Sequence, residues 1–405
     1  MKLLEVAKVV DGKLRGIDAK IVHFRTDSRE CKNGDLFFAL KGKNFDGHEF
    51  VSDVYKCGAY AVVSREIYGN HHIVVKDVKS SLLELSRWKV RNAFKIAVTG
   101  SSGKTTTKEI LAFLLAKHGT VCKTIGNMNT YVGVSLSILN GIDDPDFCVI
   151  EIGAQFPGDI AETAMIFEPD LSIITSIGSS HSAFIDVMKE KASISKWTKE
   201  VVIYDGNEGI KLLIGRKGKV FTRHIDWVKH VGLETQIAIE DKELNLKGIW
   251  GKGQIKDLEM ALSVMDEMNL SWSIDDLRGF LLPKGRMNFE NINGYTIVND
   301  TYNASPESLY NTVEVASKIG QTVWVLAPME EISMDDLKNK LMDIFNKFPP
   351  KAVFTIKNGF YPFGYPYTLK RFLDIIEPGD IIIVKGSRVY EMERILQEIR
   401  RTLSV

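Results

Sequence analysis

Val98-Thr-Gly-Ser-Ser-Gly-Lys-Thr-Thr-Thr107 decides how this chain is read. The segment follows the apolar run Lys95–Val98 and opens a helical stretch expected from Lys104 to Lys117. A strand, a glycine turn and a helix N-terminus in that order make an anion site, because backbone N–H groups and the helix dipole both favour negative charge. Gly100, Ser101, Ser102 and Gly103 would supply the cradle, Lys104 a point charge, and the hydroxyl of Thr105 or Thr106 a ligand for Mg²⁺. The full phosphate-loop pattern has one more glycine, at the position of Val98. A chance glycine turn capping a helix is the plainer alternative, and the strand before and helix after weigh against it.

Composition narrows the rest. The chain has 405 residues, more than one core usually serves, so two or three domains are expected. Lys and Arg together number 52, as do Asp and Glu, and nothing marks a nucleic-acid or acidic-membrane partner. Charges interrupt Met1–Lys8 too often for a secretory leader. No apolar run approaches the roughly 20 residues that span a bilayer. Cys31, Cys57, Cys122 and Cys148 form no Cys-x-x-Cys pair and read as reduced thiols of a cytoplasmic protein.

Three blocks emerge along the chain. Residues 1–92 carry short strand-like runs (Leu36–Leu40, Ala59–Val63, His72–Val75) separated by turn clusters, then a helical stretch Leu82–Arg91. Residues 93–284 alternate apolar runs with helical patterns: Lys95–Val98, Thr105–Lys117, Phe147–Ile152, Asp159–Phe167 and Leu171–Ile177. That alternation predicts a parallel sheet with crossover helices. Val201–Trp250 is less regular and reads as an antiparallel extension; helices at Ile255–Met268 and Ile274–Phe280 and a linker at Leu281–Gly285 close the block. Residues 285–405 alternate again, from a strand at Thr296–Asn299 and a helix Ser305–Ile319 to a last helix Tyr390–Arg400, a second doubly wound α/β unit.

Several residues fall where ligands bind in such sheets, just past the carboxyl ends of strands. Glu151 ends an apolar strand, where a carboxylate is costly unless paired or metal-bound; it reads as a Mg²⁺ ligand or as an edge residue reaching solvent. His181 lies beyond Leu171–Ile177, and a site residue and a capping residue are equally open there. Asp300, Tyr302 and Asn303 lie in a strand-to-helix turn and would touch a nucleotide or merely cap the helix. Lys385 and Arg388 end a strand and would bind a carboxylate or phosphate, or simply face water.

Together these segments resemble the Mur ligases, ATP-dependent amide-forming enzymes of peptidoglycan precursor synthesis. Thr99–Thr106 is that family's form of the phosphate loop, which accounts for the missing glycine. Thr26–Arg29, Gly34–Gly42 and Phe45–His48 are similar to its uridine-nucleotide domain; Gly126–Asn129 with Gly133, Asp300–Pro306 and Lys385–Arg388 with Met392-Glu393 are similar to the branch that adds D-alanyl-D-alanine. The resemblance implies an α/β protein of three domains: a UDP-substrate domain over residues 1–92, a central P-loop, parallel-sheet ATPase domain over 93–284, and a Rossmann-like C-terminal domain over 285–405. It implies a monomer using ATP, two Mg²⁺ and a carbamylated lysine to join D-alanyl-D-alanine to a UDP-muramoyl tripeptide.

Residue by residue, the resemblance puts Lys104 on the β/γ-phosphates, Thr105 on one Mg²⁺, and Glu151 and His181 on the second. Lys191 is the candidate for carbamylation, with Lys196 as the alternative. Arg286, Asp300 and Asn303 approach the nucleotide. Asp257 stands where the family has an adenine-framing Asn, so it can accept a hydrogen bond from the base but not donate one. Ser28, Arg29, Asp46, Gly47, His48, Asn127, Asn129, Lys385 and Arg388 are implied in substrate binding. An earlier-acting Mur ligase, a folylpolyglutamate synthase-like ligase and a nucleotide-binding regulator without catalysis are the competing readings.

Overall fold

The structure is a computed structural model that describes residues 1–42, 44–69, 71–178, 186–329, 334–357 and 364–404. Its strands form four sheets. The first takes the order Lys13–Gly16, His71–Val74, Tyr60–Val63, Leu36–Phe38, Phe24–Arg25, parallel except at the Lys13–Gly16 edge. The second, wholly parallel, runs Gly218–Val220, Val201–Tyr204, Leu171–Ile174, Phe94–Thr99, Phe147–Glu151, Val121–Lys123. Trp227–Val231, Glu234–Ile239 and Lys242–Lys247 make a small antiparallel sheet. The fourth begins with Asn288–Ile292, antiparallel to Tyr295–Asp300, and continues in parallel through Ile381–Lys385, Thr322–Leu326, Ala352–Thr355 and Tyr365–Pro366.

The strand Phe94–Thr99 lies inside the second sheet, and alternate residues feed opposite cores. Ile96 and Val98 pack with the helices Lys104–Leu115 and Lys252–Glu267; Ala97 packs on the other side with Ile138 and Ile160. Ile110, Leu111, Leu114 and Leu115 are each at most 1 % exposed. Burying side chains of that size is worth about 1.5–3 kcal/mol apiece. This anchors the helix rigidly, and with it the loop at its N-terminus.

The expected helix Ile274–Phe280 is only a 3₁₀ turn, Ile274–Leu277, halted before Gly279 at φ +84°. The strand expected to reach Ile177 stops at Ile174, because Thr175 and Ser176 turn to bond the phosphate loop. The stretch Val201–Trp250 divides: its first two strands extend the parallel sheet and only residues 227–247 are antiparallel. The last helix starts at Glu393 rather than Tyr390, after Glu391 at φ +45°. Short helices at Leu3–Val9, Val51–Lys56 and Tyr131–Leu139 carried no distinctive period in so few residues. Ser305 caps its helix and Pro306 begins it, as expected.

Candidate functional site

Two glycines shape the loop. Gly100 has φ +143°, and a Cβ there would lie 2.0 Å from Thr175 Oγ1. Gly103 has φ +86°, and a Cβ there would lie 2.1 Å from Asp257 Oδ1. The intervening serines are fastened from the neighbouring strand end: Ser101 N–H donates to Ser176 O at 2.8 Å, and Ser102 N–H to Ser176 Oγ at 2.9 Å. Lys104 Nζ donates to the loop carbonyls of Gly100 at 2.8 Å and Ser101 at 3.3 Å, so its charge sits over the cradle.

At the second residue of the helix, Thr105 Oγ1 donates to Glu151 Oε2 at 3.0 Å, and Arg286 donates to Thr105 Oγ1 at 3.0 Å. Glu151 is paired with Val98 across adjacent strands, which explains its place beside the loop. It is 1 % exposed, so the solvent-facing alternative is excluded. Its other oxygen accepts from Asn129 Nδ2 at 3.1 Å. Hydroxyl and carboxylate oxygens are hard donors that suit Mg²⁺, an ion that completes its shell with water and phosphate oxygens. Among the described residues no three His, Cys, Asp or Glu groups converge on a metal position, and Thr105 and Glu151 bring oxygen donors of this kind into direct contact. His181 lies outside the described residues.

Two cavities flank the loop. One, of about 320 Å³, is lined by Ser102, Gly103, Thr106, Asp257 and the helix-start residues Lys252–Gln254, with Asp300 and Lys385 also in its wall. The other, of about 580 Å³, gathers Ser101, Lys104, Asn127, Asn129, Glu151, Lys191, Arg286, Asn303 and Arg388. Arg286 lines both. Its guanidinium stacks 3.9 Å from the centre of the Tyr302 ring, and that of Arg388 lies 5.9 Å from the same ring. Four cationic side chains thus face one carboxylate in the larger cavity, an arrangement built for an anion.

Other expected site residues take different parts. Lys385 is buried and ion-paired with Asp300, its register partner on the adjacent strand, and also donates to Asn303 O. Asp300 accepts further from Met287 N–H and Thr312 Oγ1. Burial holds the Lys385 ammonium below its ordinary range, with Asp300 opposing. Lys385 therefore closes the wall of the smaller cavity with its ammonium paired to Asp300. His48 is likewise committed: Nε2 accepts from Ser64 N–H at 2.9 Å, which leaves Nδ1 to donate to Asp46 at 2.6 Å. Both ring nitrogens thus fasten the turn that carries it. Asn129 reaches the larger cavity but spends its amide on Glu151. Ser28, Arg29, Asp46 and Gly47 line neither cavity; Arg29 is exposed and paired with Asp27. Lys196 is exposed on the 3₁₀ turn Ser193–Lys196, whereas Lys191 is buried against the larger cavity.

Asp257 differs most from expectation. It lies under Gly103 with its carboxyl against the loop. Burial pushes its pKa up to about 8, against the opposing influence of the Thr107 and Thr106 hydroxyls and of Arg286 and Lys256. The folded protein then retains a proton that the unfolded chain releases near pH 4. Stability should fall as pH rises from about 4 to about 8 and level off beyond. Asp257→Asn, neutral throughout, should flatten that slope in melting temperatures measured at pH 5 to 8.5. A variant whose pH dependence matches the parent would show that Asp257 titrates normally.

Sequence reasoning missed Thr175, Ser176 and Lys108. The first two reveal themselves only once their strand is placed beside Phe94–Thr99. Lys108 follows Lys104 by four residues, one helical turn, a spacing that could have flagged it.

Residues 98–262 match the family model "Mur ligase middle domain", and residues 20–93 match "Mur ligase family, catalytic domain". The UDP-N-acetylmuramoyl-tripeptide–D-alanyl-D-alanine ligase of Bacillus subtilis (strain 168) is 26% identical, over 97% of both chains. The enzyme of the same name from Buchnera aphidicola subsp. Baizongia pistaciae is 26% identical over 98% of both. Among solved structures, the MurF ligase from Thermotoga maritima in complex with ADP superposes with a TM-score of 0.82 at 30% identity, covering 94% of this chain and 97% of that one.

Proposed function

The chain belongs to the Mur ligase family, and on that premise we propose that it is an ATP-dependent ligase joining D-alanyl-D-alanine to a UDP-N-acetylmuramoyl tripeptide in peptidoglycan precursor synthesis. The observation that carries this reading is Arg286, which faces both cavities and bonds Thr105 at the loop between them. A nucleotide in the smaller cavity and the phosphoryl-accepting carboxylate of the tripeptide in the larger one would meet across that loop.

A carboxylate is a poor electrophile, because its oxygen is a poor leaving group. Transfer of the γ-phosphoryl group of ATP to the tripeptide carboxylate gives an acyl phosphate. The amine of D-alanyl-D-alanine attacks its carbonyl, phosphate departs, and an amide remains. No protein nucleophile is needed. The chain's part is positioning and charge neutralisation, the dominant means of phosphoryl-transfer catalysis. The loop N–H groups and Lys104 hold the β- and γ-phosphates. Arg286 and Arg388, ordered on Tyr302, bring the anionic carboxylate and phosphoryl group together against their mutual repulsion. Asn127 and Asn303 line the acceptor's path. Thr105 would hold one Mg²⁺ and Glu151, with His181, a second, and when bound these ions would offset the charge of the phosphates. Carbamylation of Lys191, whose side chain lines the larger cavity, would turn a cation into a further oxygen ligand.

In the same reading, residues 1–92 are the UDP-substrate domain, with Ser28, Arg29, Asp46 and Gly47 at the uridine nucleotide. Residues 93–284 are the ATPase domain and 285–405 the C-terminal domain. No helix among the described residues is long and apolar enough to cross a membrane, in keeping with soluble substrates met in the cytoplasm.

The test is a panel of amino-acid acceptors presented with ATP and the UDP-linked muramoyl peptides, read as phosphate release. D-alanyl-D-alanine with the tripeptide should stimulate turnover at least 100-fold over every other pair. Stimulation by L-Ala, D-Glu, a diamino acid or a folate would assign the chain to another ligase, and no stimulation at all would favour a regulator.

A further inference from the structure

Lys108 is 0 % exposed, an uncommon place for an ammonium group, since burying a charge without partners is prohibitive. Its partners are specific. Nζ donates to Thr124 O at 2.8 Å and approaches Gly126 O at 3.5 Å; it lies 3.2 Å from the Glu109 carboxylate and 3.7 Å from Glu151 Oε2. Thr124 is bonded to Glu151 a second time, because Glu151 N–H donates to Thr124 Oγ1 at 3.0 Å. Three elements therefore meet at one nitrogen: the helix that begins with Lys104 and Thr105, the segment that carries Asn127 and Asn129 to the larger cavity, and the strand that ends in Glu151.

We propose that Lys108 is a positioning residue for the ligation, holding Glu151 and the Thr124–Asn129 segment in register with the phosphate loop. It touches neither substrate. The proposal rests on the reading that Thr105 and Glu151 hold Mg²⁺. With Lys108 in place, Glu151 Oε2 faces both Lys108 and Thr105 while Asn129 holds Oε1, and the Thr124–Gly126 segment cannot drift from the helix. Without it, the buried Thr124 carbonyl loses its donor and Glu151 can rotate. Charge and geometry predict opposite effects. As a counter-charge alone, Lys108 competes with a cation at Glu151, so its removal would tighten metal binding. As a positioning group, its removal loosens it.

Lys108→Met keeps the length of the side chain and removes its charge. We expect kcat to fall at least 30-fold while KM for ATP changes less than threefold. The Mg²⁺ concentration at half-maximal rate should rise at least fivefold. Binding of Mn²⁺ to the ADP-loaded protein, followed by electron paramagnetic resonance without turnover, should weaken by a similar factor. Lys108→Gln, which still donates to one carbonyl, should recover at least threefold of the lost kcat and guards against a Met variant that does not fold. Wild-type kcat in either folded variant, or tighter Mn²⁺ binding, overturns the proposal. If Lys104→Ala is inactive while Lys108→Met matches the parent, only the positioning role has failed. If the parent protein shows no turnover dependent on D-alanyl-D-alanine, the ligase reading has failed, and the Mn²⁺ titration still reports on Lys108.

Discussion

Lys104→Ala should lower kcat by about 10³-fold, about 4 kcal/mol of lost transition-state stabilisation. Removing one preorganised donor from a developing oxyanion typically costs 10²–10³, and here the lost group is a full charge within a partly buried loop. Lys104 Nζ reaches the carbonyls of Gly100 and Ser101, directly over the cradle in which the phosphates would sit. The fold should survive, because the helix is held by Ile110, Leu111, Leu114 and Leu115, all behind the loop. Affinity for the UDP-linked tripeptide, measured calorimetrically without nucleotide, should remain within threefold. Turnover within tenfold of the parent would mean that the loop is not where phosphate transfer occurs.

Gly103→Ala should weaken ATP binding at least 100-fold and cost about 1–3 kcal/mol of stability. Two penalties act together. An L-residue at φ +86° is strained by roughly 1–2 kcal/mol. The new methyl group would also meet Asp257 Oδ1 at 2.1 Å and Cγ at 2.9 Å, so the Asp257 carboxyl, the loop or the helix Lys252–Glu267 must move. Loop movement misaligns the N–H groups that bind phosphate. The double variant Gly103→Ala, Asp257→Ala relieves the clash but not the backbone strain, and should regain part of the lost affinity. ATP titrations of the single variant that match the parent would show that the loop is more pliant than its packing suggests.

Much of the architecture was legible because it rests on local periodicity. The strand before Gly100, the helix after it, the run Asp159–Phe167, the strand Thr322–Leu326 and the capped start at Ser305–Pro306 were all readable from neighbours in the chain. The short helices and the end of Leu171–Ile174 were not. Their boundaries depend on what packs against them, as Thr175 and Ser176 show by leaving their strand to bond Ser102.

The site divides along the same line. From the order of residues alone came the phosphate loop, Glu151 as a metal ligand or an edge residue, and Arg388 as an anion contact or a solvated cation, because each is a local signature at a strand end; Arg286 came from the family resemblance. Strand order decided the rest. Placing Phe147–Glu151 beside Phe94–Thr99 delivers Glu151 to Thr105. Placing Ile381–Lys385 beside Tyr295–Asp300 pairs Lys385 with Asp300 in the wall of the smaller cavity. Packing of the helix Lys252–Glu267 under the loop raises the pKa of Asp257, and the turn after Val121–Lys123 closes over Lys108. Charges and hydrogen-bonding groups are written in the sequence. Whether a given charge meets water, a ligand or an opposite charge depends on contacts between residues far apart in the chain, and only the folded packing sets those.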